Sequence, residues 1–220
     1  MCGRYVIYTA DELIDLHAIV AEAQRRADAA DNLQALRVKT GEVFPTDVAA
    51  VLTPPAGATP GSCALEARPM IWGYPQFGGR KGVIFNTRLE NAASSAFWKG
   101  SLAQRRCIIP MSGFYEWQHG GPYDRQRYLF TLNGEKILYL AGVYQDYASA
   151  EPGDSPQLAR AVELLRRRFS VMTTAPNASL SDVHNRMPVV LRPSEIEEWL
   201  FGNPQVFIDR SNIALQRQAS

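Results

Sequence analysis

Tyr128-Leu129-Phe130-Thr131-Leu132-Asn133-Gly134-Glu135-Lys136-Ile137-Leu138-Tyr139-Leu140 reads as strand, turn, strand. Asn-Gly tolerates the positive φ values that a tight hairpin turn demands, and β-branched and aromatic residues on both sides suit a pleated sheet. The expectation is a hairpin, with strands at 128–132 and 137–140. Outward from it, Arg106–Trp117 is strand-like on both sides of Pro110, and Phe169–Thr174 and Met187–Leu191 read as further strands. Alternating segments around Ala64–Trp72 and Val83–Leu89, and Val48–Leu52 behind the loop Val43–Thr46, add to these. Helices are few. Thr9-Ala10-Asp11-Glu12 is a capping box opening a helix with Leu13, Leu16 and Val20 at helical spacing, which fades into the polar stretch Arg25–Asp31. Asn91–Leu102 is expected as a short helix carrying Phe97 and Trp98, and Ser179–His184 as a helical turn. Ser194-Glu195-Ile196-Glu197 is a second capping box, for a helix ending near Leu200. Pro54–Ser62 and the polar Ala148–Gln157 are loops. Many short strands with few helices indicate an α+β fold of mainly antiparallel strands.

At 220 residues the chain is long enough to bury one substantial core. No apolar run approaches bilayer length, and Asp11-Glu12 and Asp15 fall where a secretory leader would need its apolar centre, so the expectation is a cytoplasmic protein with no membrane partner. Cys2, Cys63 and Cys107 are odd in number and widely spaced, which fits reduced thiols. Cys63 and Cys107 fall in apolar segments and read as structural. There is no CxxC or HxxxH spacing, so no metal is expected. A net charge of +1 neither demands nor excludes nucleic acid; any such binding must come from local arginines.

Four blocks concentrate chemistry: Cys2-Gly3-Arg4-Tyr5, Asn86-Thr87-Arg88-Leu89-Glu90, Gly113-Phe114-Tyr115-Glu116-Trp117 and His184-Asn185-Arg186-Met187-Pro188; Trp72-Gly73-Tyr74-Pro75 is a weaker fifth. With Met1 removed, Cys2 would carry a free amine beside its thiol. The amine condenses with an aldehyde to an imine, and the thiol closes a thiazolidine on the same carbon. Ordinary pKa values of roughly 8.5 and 7.7–8.0 leave both groups partly available near neutrality. His184 titrates near neutrality and suits ring opening of a closed sugar. Glu116, between Tyr115 and Trp117, suits a raised pKa, and Asn86 can donate and accept without charge. Each also has a plain reading: Asn86 as a turn residue, Glu116 as half of a surface salt bridge, His184 as a helix C-terminal cap. Trp72, Pro45 and Phe97 are of a kind to stack on or wedge between bases, or to pack in the core. The runs Arg105-Arg106 and Arg166-Arg167-Arg168 read as a solvated face.

Taken together, and in this order along nearly the whole chain, the blocks resemble the SOS response-associated peptidase (SRAP) family. The resemblance implies a single SRAP-type domain over 1–220 with a curved or barrel-like core and flanking helices. It implies that Cys2, exposed by self-removal of Met1, captures the ring-opened aldehyde of an abasic site in single-stranded DNA. The product is a thiazolidine DNA–protein crosslink that shields the lesion during the DNA damage response. Asn86, Glu116 and His184 match the family's catalytic Asn, Glu and His. Arg4, Arg88 and Arg186 carry over as DNA contacts, with Trp72 and Pro45 beside them; their alternative is pairing with nearby carboxylates. No organic cofactor or metal is implied, and a monomer is expected, nucleoid-associated when acting.

Two other readings stay open. An N-terminal-cysteine glutamine amidotransferase would use the Cys2 amine as base for the thiol and Asn133-Gly134 as its Asn-Gly element. A non-covalent single-stranded DNA or modified-base binding module would need none of the Cys2 chemistry. Met111-Ser112, Arg25–Thr40 and Ala148–Gln157 depart from the family's pattern or match no motif of it.

Overall fold

A computed structural model describes residues 3–8, 14–31, 36–62, 64–76, 81–120, 124–147 and 155–220. In chain order the first elements are β1 (Tyr5–Ile7), α1 (Ile14–Ala30), β2 (Gly41–Val43), β3 (Val48–Thr53), β4 (Glu66–Trp72) and β5 (Tyr74–Pro75). Next come β6 (Val83–Ile84), β7 (Asn86–Arg88), α2 (Leu89–Ala92), α3 (Lys99–Gln104), β8 (Arg106–Met111) and β9 (Gly113–Trp117). The remainder are β10 (Arg127–Leu132), β11 (Leu138–Asp146), α4 (Pro156–Leu165), β12 (Arg167–Thr174), β13 (Met187–Pro188), β14 (Val190–Leu191), α5 (Ile196–Phe201) and β15 (Leu215–Ala219).

Five strands close on themselves. β12 runs parallel to β4, and the ring continues antiparallel through β3, β8 and β11 back to β12. The fold is thus α+β around a closed, mixed five-stranded barrel. Alternation sorts the side chains. Val51, Met70, Trp72, Cys107, Ile109, Leu140 and Phe169 share one core cluster. Their neighbours Ala50, Leu52, Ile71, Ile108 and Val143 form a second, with Ala23 and Ala27 of α1 and Trp199 of α5. Both strand faces are covered, which is why Val48-Ala49-Ala50-Val51-Leu52 shows no polar alternation.

The other sheet is antiparallel, in the order β15-β10-β9-β1-β2. One continuous chain segment serves both layers: β8 belongs to the barrel, β9 to the sheet, and the bend between them is Ser112. Ser112 is stitched to the first strand twice, its N–H donating to the Val6 carbonyl at 2.8 Å and its hydroxyl accepting from Tyr8 N–H at 2.9 Å.

Several expectations need correction. Asn133-Gly134 forms a turn, with Glu135 N–H on the Leu132 carbonyl and Gly134 at φ 77°, but not a hairpin. β10 stays in the sheet while β11 enters the barrel, because both edges of β10 are already occupied by β9 and β15. The chain past Arg25 does not fade: α1 continues to Ala30, burying Ala23 and Ala27, while Glu22 holds Arg25 and Arg26. Its expected capping box, and Leu13, lie outside the described residues, as do Cys2 and Cys63. Asn91–Leu102 is two short helices, and Phe97 and Trp98 occupy the turn between them. The loop expected to Gln157 gives way at Pro156 to α4, capped by the Ser155 hydroxyl accepting from Leu158 N–H. The capping box falls one turn earlier, on the 3-10 turn Pro193–Glu195 that leads into α5, where Glu195 accepts from Arg192 N–H at 2.8 Å; Glu197 instead accepts from Gly61 N–H at 2.6 Å.

Candidate functional site

β1 and β9 bring the start of the chain beside Glu116. Tyr5 faces Phe114 in register, and Tyr115 N–H donates to the Arg4 carbonyl at 2.9 Å. Glu116 sits opposite Tyr128 of β10 on the same strand face as Phe114, which is stacked on Phe130 in the core. That alternation buries the carboxyl: Glu116 is 2% exposed, so it is no surface salt bridge. Burial pushes its pKa up to about 7, against the opposing pull of the amino-terminal charge and a backbone hydrogen bond at Trp117.

Asn86 opens β7, beside Val171 of β12. Trp72 connects it to β1. The indole is fully buried, stands 5.1 Å from the Tyr5 ring, stacks on Phe169 at 6.1 Å and donates from Nε1 to the Phe85 carbonyl at 3.0 Å. A base-stacking role for Trp72 is therefore withdrawn: its ring is spent on joining β1, β4 and the strand that carries Asn86.

His184 ends a turn organised by Asn177, whose amide donates to the carbonyls of Arg210 and Ile213 while its carbonyl oxygen accepts from Ser179 N–H. Val183 and His184 N–H groups then bond back to Leu180, giving the expected helical turn. His184 Nδ1 lies 3.0 Å from Arg186 N–H and 3.2 Å from the Arg186 carbonyl; in the tautomer that accepts the N–H, the neutral ring carries its proton on Nε2. Burial holds its pKa below 6.5; the amino-terminal charge and His119 act the same way, and the nearby Arg186 carbonyl opposes them. His119, two residues beyond β9, meets His184 edge-on at 5.7 Å. Both line a pocket of about 390 Å³ with Ser181, Asp182 and Asn185. The sequence reading passed over His119, which stands outside any motif; its only signal was its place three residues after Glu116.

The arginines differ in availability. Arg186 is committed to Glu90 and to Thr173, so the carboxylate-pairing alternative holds for it. Arg4 pairs with Glu42 at 3.1 Å and lies 4.4 Å from the Phe44 ring centroid and 5.0 Å from that of Trp117. Arg88 is exposed at the mouth of α2. Pro45 is half-buried, and its exposed neighbour Phe44, not singled out from sequence, presents the larger apolar surface. Phe97 is half-buried against Tyr74 and Trp98. Cys107 is wholly buried, and burial pushes its thiol pKa far up, in keeping with a structural role. The run Arg166-Arg167-Arg168 is not a uniform solvated face, since Arg168 is fully buried. Arg106 likewise turns inward, donating to the carbonyls of Trp199 and Gly202.

No helix among the described residues is long and apolar enough to cross a membrane. The chain is similar to a Bacillus subtilis protein named abasic site processing protein YoqW, 30% identical over 122 residues, covering 56% of this chain and 49% of that protein. It is similar also to the Escherichia coli abasic site processing protein YedK, 28% identical over 136 residues, 62% of this chain and 55% of that one. The matched part thus spans about half the length of these relatives. Among solved structures, a Bacteroides thetaiotaomicron protein superposes with a TM-score of 0.65 at 18% identity, over 98% of this chain and 91% of that chain. A Bordetella bronchiseptica protein does so with 0.63 at 18%, over 100% and 99%; both likenesses concern the fold. The profile of SOS response associated peptidase (SRAP) matches residues 1–216, nearly the whole chain, and this chain belongs to that family.

Proposed function

We propose that this chain processes abasic sites in DNA, and that it does so by covalent capture through Cys2 in single-stranded DNA. The observation that carries the reading is a buried carboxyl, Glu116, with a pKa of about 7, on the strand against which the chain begins. Covalent geometry keeps residue 2 within about 7 Å of the Arg4 Cα, whatever its path. The relatives' names, which say abasic site processing, support the substrate class.

The steps follow from the groups present. Met1 is removed, freeing the Cys2 amine. His184, neutral with its proton on Nε2, donates a hydrogen bond to the sugar ring oxygen and favours the open aldehyde. Glu116, near half-protonated at neutrality, takes a proton from the Cys2 ammonium and returns it to the hydroxyl of the carbinolamine, which leaves as water. Glu116, now a carboxylate, takes the thiol proton as the sulfur adds to the iminium carbon, and the thiazolidine closes. One water is lost overall and no redox partner is required. Asn86 orients sugar or cysteine, while Arg4 and Arg88 steer the flanking phosphates, with Pro45 and Phe44 as the adjoining apolar edge. A protein acting alone, in the cytoplasm, is the working assumption.

The amidotransferase alternative is less well served. Asn133 is exposed and accepts a hydrogen bond from Gln216. It lies five residues along the chain from Tyr128, the partner of Glu116, a separation of about 17 Å in extended chain.

Intact mass before and after incubation with an abasic single-stranded oligonucleotide tests the proposal. The expected species lacks Met1 and equals protein plus DNA minus one water, and Cys2→Ala abolishes it. A mature amino terminus with no adduct would overturn it; a persistent adduct in Cys2→Ala would overturn the assignment to Cys2.

A further inference from the structure

The barrel has a second cationic surface, at the end of β12 away from Arg186. Two adjoining concavities, of about 680 and 420 Å³, share Arg68 and Arg167 as a common wall and form one trough. The larger adds Arg26 and Arg166, the smaller Arg106. Asp146 is the one carboxylate in this lining. Counting Glu66 and Glu22, which pair with Arg68 and Arg26, the five arginines and three carboxylates leave a local charge of +2, with Arg166 exposed and outside any ion pair among the described residues.

The arginines are positioned, not merely present. Asp146 holds Arg167 at 2.9 Å, and Glu66 holds Arg68 and, at 3.8 Å, Arg26. Glu22 anchors Arg26 from its own helix at 2.8 Å. Arg166 makes no ion pair among the described residues and is exposed at the C-terminal end of α4 with φ 59°, a left-handed conformation that favours glycine. Tyr144 lines the smaller concavity, with the Arg167 guanidinium 5.3 Å from its ring centroid. Arginines in series beside an aromatic face are what a strand with regular phosphates and planar bases requires. Six residues of β12 separate Arg167 from Thr173, which Arg186 grips, so the trough stands about 20 Å from the candidate site.

We propose that this trough binds the phosphodiester backbone of a single nucleic-acid strand. It needs no aldehyde and does not rest on the chemistry at Cys2.

The test is fluorescence anisotropy of an intact oligothymidylate, titrated with the full chain over a range of salt concentrations. Arg166→Gly and the double variant Arg68→Gln/Arg166→Gly are compared with wild type and with Arg192→Gln, which removes one charge outside the trough. Each lost phosphate contact is expected to lower the slope of log affinity against log salt by about 0.7, or about fivefold in affinity near 0.1 M salt. Arg166→Gly should also unfold at a higher temperature, because glycine relieves the left-handed strain. Weaker binding by a more stable protein cannot be blamed on misfolding, and this variant decides alone should the double one fail to fold. Unchanged affinity and slope, or an equal loss in Arg192→Gln, would overturn the proposal. So would displacement by inorganic phosphate, at matched ionic strength, as complete as by unlabelled oligonucleotide. Crosslinking of abasic DNA at saturation is scored separately and can fail or succeed independently.

Discussion

Arg186 closes on Glu90 with both arms of its guanidinium, Nη1 to Oε1 at 2.7 Å and Nη2 to Oε2 at 2.8 Å, while Nη2 also donates to the Thr173 carbonyl at 2.7 Å. The His184–Pro188 segment is thereby fastened to α2 and β12. The Arg186 hydrogen bond holds the Glu90 carboxyl below its ordinary 4.5. A depressed carboxyl pKa stabilises the fold above the unfolded value, and that contribution disappears as pH falls through the folded one. Glu90→Gln should therefore cost about 1.5–3 kcal/mol near pH 7, and the gap to wild type should close on acidification below about pH 4.5. Urea unfolding of both proteins across pH measures it; a gap independent of pH would reject the ion pair as its source.

Glu116 has the opposite sign. Its folded pKa lies above the ordinary 4.5, at about 7, so the native state binds the proton more tightly and stability falls as pH rises between these values. Glu116→Gln should match wild type in acid and exceed it by up to about 3 kcal/mol above neutrality. The same variant should lose most of its rate of adduct formation. A variant both less stable and fully active would contradict both halves of this assignment.

His119→Ala removes a neighbouring imidazole whose coulombic effect lowers the His184 pKa. The His184 titration, followed through its ring Cε1 proton by NMR, should move to higher pH. No movement would mean that the 5.7 Å ring contact carries no electrostatic coupling.

Trp72→Phe keeps an aromatic ring in the core but leaves the Phe85 carbonyl without its indole donor. A loss of about 1–3 kcal/mol is expected from the stranded acceptor, with some further loss from the smaller ring. Adduct formation should slow while affinity for intact DNA stays at the wild-type level, since the ring is buried. Reduced affinity for intact DNA would reinstate Trp72 as a base contact.

What the sequence disclosed was local and what it concealed was pairing. The strand at Tyr128–Leu132, the turn at Asn133-Gly134 and the strand from Leu138 were legible from residue type alone. That the two strands enter different layers was not, because it depends on β15, more than 80 residues later, filling the edge of β10. Helix α1 was cut short because its buried face past Val20 is alanine, and a periodicity search weighs bulk. Helix α4 was announced only by Ser155-Pro156, a cap and a first-turn proline inside an otherwise polar run. Glu116, Asn86 and His184 were nominated through motifs, whereas the contacts around them, Trp72 against Tyr5 and His119 against His184, follow from pairings between distant segments.

Strand β1 is an interior strand of its sheet, with β9 on one side and β2 on the other. On a ribosome this inverts the usual schedule. Tyr5 emerges early, but its partner Phe114 is made about a hundred residues later, a wait of roughly 5–20 s at bacterial or eukaryotic elongation rates. Its other partner, Val43 of β2, is made far sooner, so β1 can pair along one edge long before the Glu116 strand exists. The seat of β1 is thus built from the β2 edge first, and the strand carrying Glu116 closes the other edge later, by the order of translation.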